Sequence, residues 1–145
     1  MSGGFLNGIE YPGKAMTAHS AITYPGTLVK IYTTEGEVEL CGAGDFPDGY
    51  VHMGSISMAT GSPVATAGAK VAVKGLVPGT VIEVPLLATN AAIAVGDELE
   101  TVAGGLVDKK NGAGEIIGKA MVAVDASAGA GSYVKVWVAQ RTAAA

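Results

Sequence analysis

The segment Tyr133-Val134-Lys135-Val136-Trp137-Val138-Ala139 alternates strictly between two kinds of side chain. Val134, Val136 and Val138 fall on one side of an extended chain, and Tyr133, Lys135 and Trp137 fall on the other. The valine side predicts a core face. The Tyr/Lys/Trp side is either a second buried face or an exposed patch able to meet a partner. Lys70–Lys74 repeats the alternation, with Val71 and Val73 opposed to Lys70, Ala72 and Lys74. Thr27–Thr33 and Glu37–Cys41 alternate on either side of Thr34-Glu35-Gly36, the pattern of a hairpin.

Further strands are predicted over Tyr50–Met58, Thr80–Leu87, Ala91–Leu99, Gly105–Lys109, Glu115–Val124 and Tyr133–Ala139. Gly54 suggests a bulge, and Pro85 an edge or a bulge. Asn111-Gly112 between two β-type runs predicts a hairpin turn, because both residues tolerate positive φ. No segment has the period of a long amphipathic helix, and Ala88–Val95 allows one or two helical turns at most. The fold class expected is all-β (mainly β): a compact β-tulip or barrel-like domain with an extended N-terminal arm and at most one short helix.

The spacing also suggests an internal repeat. Gly26-Thr27-x-Val29, Gly36-x-Val38-Glu39, Gly54 and Ala67-Gly68-x-x-Val71-x-Val73 form one series. Gly96-Asp97-x-Leu99, Gly105-x-Val107-Asp108, Gly118 and Ala130-Gly131-x-x-Val134-x-Val136 form the other. Such a repeat implies two similar β units in one body.

The chain has 145 residues, enough for one domain with a sizeable core. Hydrophobic residues make up 49% and charged residues only 15%, which suits a protein that spends its time against partners. The net charge is −4, and Lys109-Lys110 is the one basic pair, so the basic footprint of a nucleic-acid binder is missing. No apolar run approaches the length of a membrane-spanning helix. The start lacks the pattern of a signal peptide, and synthesis in a cytosol is expected. The single cysteine, Cys41, reads as a small buried hydrophobe.

The division expected is an arm over 1–23, a β-rich domain over 24–140 and a flexible tail over 141–145. Phe5, Leu6, Ile9 and Tyr11 stand among glycines with no period, as anchors of an arm that docks on something, a neighbouring subunit or partner or, alternatively, its own domain. The arm is expected to be mobile in the free protein and fixed on its partner.

Nothing in the sequence assembles an active site. His19, His52 and Cys41 lack metal-ligand spacing. Asp45/Asp48 and Asp97/Glu98 lack a calcium-loop pattern. No nucleophile elbow occurs, and Gly112-Ala-Gly114 leads into a β-type run rather than the helix a phosphate needs. The expectation is a non-enzyme with no catalytic residue, metal or cofactor.

Tyr24-Pro-Gly-Thr-Leu-Val-Lys30, Gly36-Glu-Val-Glu-Leu40, Ala92-Ile-Ala-Val-Gly-Asp-Glu-Leu99, Gly104-Gly-Leu-Val107, Ile117-Gly-Lys-Ala120 and Gly131-Ser-Tyr-Val-Lys-Val-Trp-Val138 follow one another in an order that resembles tailed-virus (bacteriophage-type) capsid decoration, or cement, proteins with the lambda-like head decoration fold. Val51-His-Met-Gly-Ser55 departs from that pattern. The resemblance implies a β-tulip fold and homotrimers at three-fold and quasi-three-fold sites of an expanded capsid. It implies the major capsid protein as partner and the outer capsid surface of the virion as location, with no nucleic acid and no membrane. Phe5, Leu6, Ile9, Tyr11, Tyr24, Tyr133 and Trp137 are the candidate capsid or inter-subunit contacts. Two other readings stand beside it: a β-clip-like small-molecule-binding or enzyme-accessory domain, suggested by Val77–Pro85 through Gly96-Asp97, and a virion fibre base.

Overall fold

A computed structural model describes residues 14–52, 65–87, 92–112, 115–125 and 132–140. The chain is all-β. Strands β1 (Lys14–Ala18), β2 (Leu28–Ile31), β3 (Glu37–Leu40), β4 (Gly49–Val51) and β5 (Lys70–Gly75) close a barrel in the order β1-β3-β2-β4-β5. Strands β6 (Val81–Pro85), β7 (Glu98–Val102), β8 (Leu106–Lys109), β9 (Ile116–Ala120) and β10 (Tyr133–Val138) form a second sheet in the order β6-β10-β9-β7-β8. Among the described residues the only helical element is the 3₁₀ turn Ala103–Gly105, and residues 92–95 of the expected helical stretch are not helical.

The two units have the same topology. In the first, β1 lies antiparallel to β5 and parallel to β3, while β2 pairs antiparallel with both β3 and β4, and β4 with β5. In the second, β6 pairs with β10, β7 with both β8 and β9, and β9 with β10, all antiparallel. The parallel closure survives there as one bridge, Leu86 to Val107, matching Ala18 to Val38.

Backbone hydrogen bonds at the turns before β2 and β7 correspond. Gly26 N–H donates to Val51 O and Val51 N–H to Thr27 O (2.9 and 3.0 Å). Gly96 N–H donates to Ala120 O and Ala120 N–H to Asp97 O (both 2.8 Å). The flanking bridge Ile22–Ala65 is matched by Ile93–Val124. The repeat suggested by the sequence is therefore a duplication of a five-stranded unit. One pairing is corrected: the counterpart of Gly118 is Gly49, not Gly54, which lies outside the described residues. A Cβ on Gly49 would overlap the carbonyl oxygen of Lys74, and one on Gly118 that of Trp137, so each strand crosses its neighbour where only glycine fits.

Alternation places the core. Val134, Val136 and Val138 are buried beside Ile82, Val84, Leu86, Leu99, Val107 and Ile117. Val29, Val38, Val51 and Val71 fill the barrel with Ala18 and Ile22. Each such side chain contributes roughly 1.5–3 kcal/mol on burial. Leu28 and Cys41 come from the first unit but pack into the core of the second, joining the two. The seam is further tied by Gly105 N–H to Cys41 O (2.7 Å), Thr101 Oγ1–H to Asp45 O (2.8 Å) and Tyr133 O–H to Pro25 O (2.6 Å).

Two expectations change. Lys14–Ala18, assigned to the arm, is strand β1 and completes the barrel. Its short run of mixed residues carries no visible alternation, because pairing on both edges rather than side-chain pattern holds it there. Asn111-Gly112 does not close a hairpin. It belongs to the connection from β8 to β9, which lie on the two edges of β7, and its Asn111 N–H donates to the Glu100 carboxylate of β7. The sharp hairpin is instead β7–β8, around Ala103–Gly105. Residues 1–13 and the expected tail over 141–145 lie outside the described residues.

Candidate functional site

Strand β10 turns Tyr133, Lys135 and Trp137 away from the valine core. These three do not share one environment. Tyr133 is half-buried, folded over the seam against Gly26, with its hydroxyl on Pro25 O. Burial pushes its phenol up from the ordinary value, with Glu83 and Tyr24 adding to the shift. Tyr24 is half-buried beside it, and its carbonyl accepts the Thr27 hydroxyl at 2.5 Å. Of the two tyrosines, Tyr133 therefore ties the two units together.

Trp137 is different: it is 49% exposed on the outer face of the second sheet. Its cross-strand neighbours are Val81 on β6 and Lys119 on β9. Val81 is 47% exposed, and Val77, in the turn that leads into β6, is 49% exposed. The turn is held by Thr80 N–H and Oγ1–H, both donating to Val77 O (3.1 and 2.6 Å). Gly79 in that turn lies under the indole ring. An apolar patch of Val77, Val81 and Trp137 results, bordered by the exposed Lys119 and Lys135. Apolar side chains gathered on a sheet face and rimmed by charge are the composition of a contact surface.

Next to the patch an open cleft of about 360 Å³ runs along the seam, lined by Gly26, Tyr50, His52, Val81, Glu83 and Lys135 with Ile82. The clustered acids and histidines have ordinary structural partners. Asp45 accepts from Lys30 Nζ (2.8 Å) and Gly42 N–H (2.9 Å), which hold its carboxyl below the ordinary range, Lys30 most. Asp48 accepts from Ile31 N–H (2.8 Å). Asp97 accepts from Ala94 N–H (2.8 Å) and lies 3.3 Å from Lys109; its carboxyl is likewise lowered, first by the Ala94 N–H. His19 contacts Glu37 at 3.0 Å and stacks on Tyr32. Cys41 is fully buried, and burial pushes its thiol up to about 12. Among the described residues no three His, Cys, Asp or Glu side chains are grouped to hold a metal ion.

Of the seven contact residues predicted, the structure therefore places Tyr24 and Tyr133 at the seam and Trp137 on the outer face. Phe5, Leu6, Ile9 and Tyr11 lie outside the described residues. Val77 and Val81 were missed. Their signal was present in Val81-Ile82-Glu83-Val84, where Val81 falls out of phase with the buried Ile82 and Val84.

The fold and the patch define a class: an all-β body of two tandem five-stranded units that carries an exposed apolar face beside the seam. Among solved structures, the chain is similar to the head fiber gp8.5 N base of bacteriophage phi29, with a TM-score of 0.60 and 18% sequence identity over 88% of this chain and 92% of that one. At that identity the likeness is one of fold. No family model matches the chain. No curated protein matches it either.

Proposed function

We propose that this chain is a structural protein of a bacteriophage head, bound to the outer surface of the capsid as a decoration protein. The observation that carries the reading is the fold it shares, along nearly its whole length, with a phage head fiber base. The low charge content and the exposed patch around Trp137 support a role in binding a large protein surface. The protein acts without catalysis, as homotrimers seated at three-fold and quasi-three-fold sites on the major capsid protein, and braces the expanded head against internal pressure. Three copies of one weak contact then combine into tight binding. The same neighbour favours a second reading, in which the chain is the base of a head fibre and carries a further element outward.

Native mass and co-sedimentation with expanded capsids lacking the protein test this. A mass near three chains, or a monomer that trimerises only on capsids, with saturable pelleting, is expected. A stable monomer that never pellets sinks the proposal. A melting shift with a small ligand would then point to the seam cleft and a binding domain.

A further inference from the structure

The seam cleft and the indole beside it form one surface. On β10, Lys135 and Trp137 point outward two residues apart, about 7 Å along the strand. Their cross-strand neighbours on β6 are Glu83 and Val81. Val81 belongs to both regions, since it lines the cleft and stands opposite Trp137. The first unit contributes Tyr50 and His52 to the lining. The cleft is open, and at about 360 Å³ it falls at the small end of clefts that hold ligands.

Glu83 and Lys135 are exposed, and among the described residues neither side chain is in a hydrogen bond or an ion pair. Lys30, Lys109 and Lys110, by contrast, each pair with a carboxylate. The surface thus offers a flat apolar ring and, one step along the strand pair, an acceptor beside a donor. Lys135 repels a cation and Glu83 repels an anion, so the pair suits a neutral ligand. Its polar groups must accept from an ammonium and also donate to a carboxylate, as hydroxyls do. It must also present a flat C–H face to the indole. Adjacent hydroxyls on the edge of a ring and C–H groups on its face are the chemistry of a neutral pyranose.

We propose that the seam cleft and Trp137 together bind a neutral carbohydrate, with one sugar ring stacked on the indole and neighbouring hydroxyls shared between Glu83 and Lys135. The site does not rest on the capsid reading, which the shared fold carries, and the free chain suffices to test it. Failure to bind capsids therefore leaves it standing, and its own failure leaves the capsid reading standing.

An array of neutral and acidic oligosaccharides is probed with the full chain, and the best-retained sugar is then titrated by calorimetry. Retention of neutral sugars is expected. Trp137→Ala should weaken binding at least about tenfold, and Trp137→Tyr, which keeps a ring, should recover most of it. The Glu83→Ala/Lys135→Ala double variant, which leaves the net charge unchanged, should also lose about tenfold. These side chains are exposed, and circular dichroism checks that the variants fold. The unmodified chain supplies a readout that needs no variant. Trp137 is the only tryptophan, and bound sugar should protect its fluorescence from acrylamide. An array that retains no sugar overturns the proposal, as does retention of acidic sugars alone. Binding that leaves the indole unprotected, or that both variants keep at full strength, places the sugar elsewhere and overturns it too.

Discussion

The two units share a backbone but not a surface. Barrel and sheet have matching strand order, turn hydrogen bonds and glycine crossings. The equivalent positions of β5 and β10 diverge outward: Lys70, Ala72 and Lys74 in the first unit become Tyr133, Lys135 and Trp137 in the second. The equivalent cross-strand pairs diverge too. Lys30 faces Glu39 on β3 in attraction, whereas the buried Glu100 faces Asp108 on β8. Glu100 is held instead by Lys110 at 3.6 Å and the Asn111 N–H at 3.4 Å. The difference shows which features this fold requires. Close strand crossings and turn bonds are repeated because the topology fails without them. Outward side chains vary, and only the second unit combines a tyrosine at the seam with a tryptophan on the surface.

The sharpest way to break this equivalence is at the crossings. Gly118→Ala and Gly49→Ala should each cost about 3 kcal/mol, because the added methyl meets backbone that cannot move aside. Urea unfolding reads both as lowered midpoints. If one variant is neutral, the two crossings are not equivalent. A smaller effect is expected at the seam. Tyr133→Phe removes the hydroxyl from Pro25 O and leaves that carbonyl unpaired beside a buried proline ring, a loss of about 1–2 kcal/mol. Cys41 reports the same loss, since burial keeps its thiol unreactive until the seam opens. Alkylation in Tyr133→Phe should quicken about tenfold, the factor that ~1.4 kcal/mol carries. An unchanged rate would mean the tyrosine does not close the seam.

Much of the fold was legible for physical reasons. Strands that bury one face announce themselves by alternation, as in Tyr133–Val138 and Lys70–Gly75. Glycines at fixed spacing marked the duplication, although Gly49 was overlooked because a short strand of three residues offers no alternation to anchor it. Strand β1 was not legible, since its place depends on edges offered by β3 and β5, far away in sequence. The Asn111-Gly112 turn misled because a turn sequence specifies a bend and not which strands will flank it. The surface was half legible: Trp137 stood out, but its separation from Tyr133 depends on where the first unit packs, and the partner Val81 is named only by register.

The smallest expected effect compares the two lowered carboxyls. Asp45 is lowered first by Lys30 and then by Gly42 N–H; Asp97 is lowered first by Ala94 N–H and then by Lys109. A carboxyl held below its unfolded value binds its proton more weakly in the folded state. Its contribution is therefore present above the ordinary carboxylate value of about 3.9 and is lost as pH falls through the folded value. Lys30 is raised in turn, chiefly by Asp45, so its contribution is present below the ordinary lysine value and lost as pH rises through the folded one. The first unit thus carries a pair that acts on both limbs of the stability curve. For the second unit only the acid limb follows from Asp97. Asp97→Asn keeps an oxygen for the Ala94 N–H and removes the charge, so it should flatten the acid limb alone. Asp45→Asn should flatten the acid limb and also trim the alkaline one. These groups are only half-buried and remain screened by solvent, so both changes are small beside the glycine effects. Urea midpoints measured across the acid and alkaline limbs decide it: an alkaline limb unchanged in Asp45→Asn would show that Lys30 draws its stabilisation from Glu39, 3.4 Å away across the strand pair, rather than from Asp45.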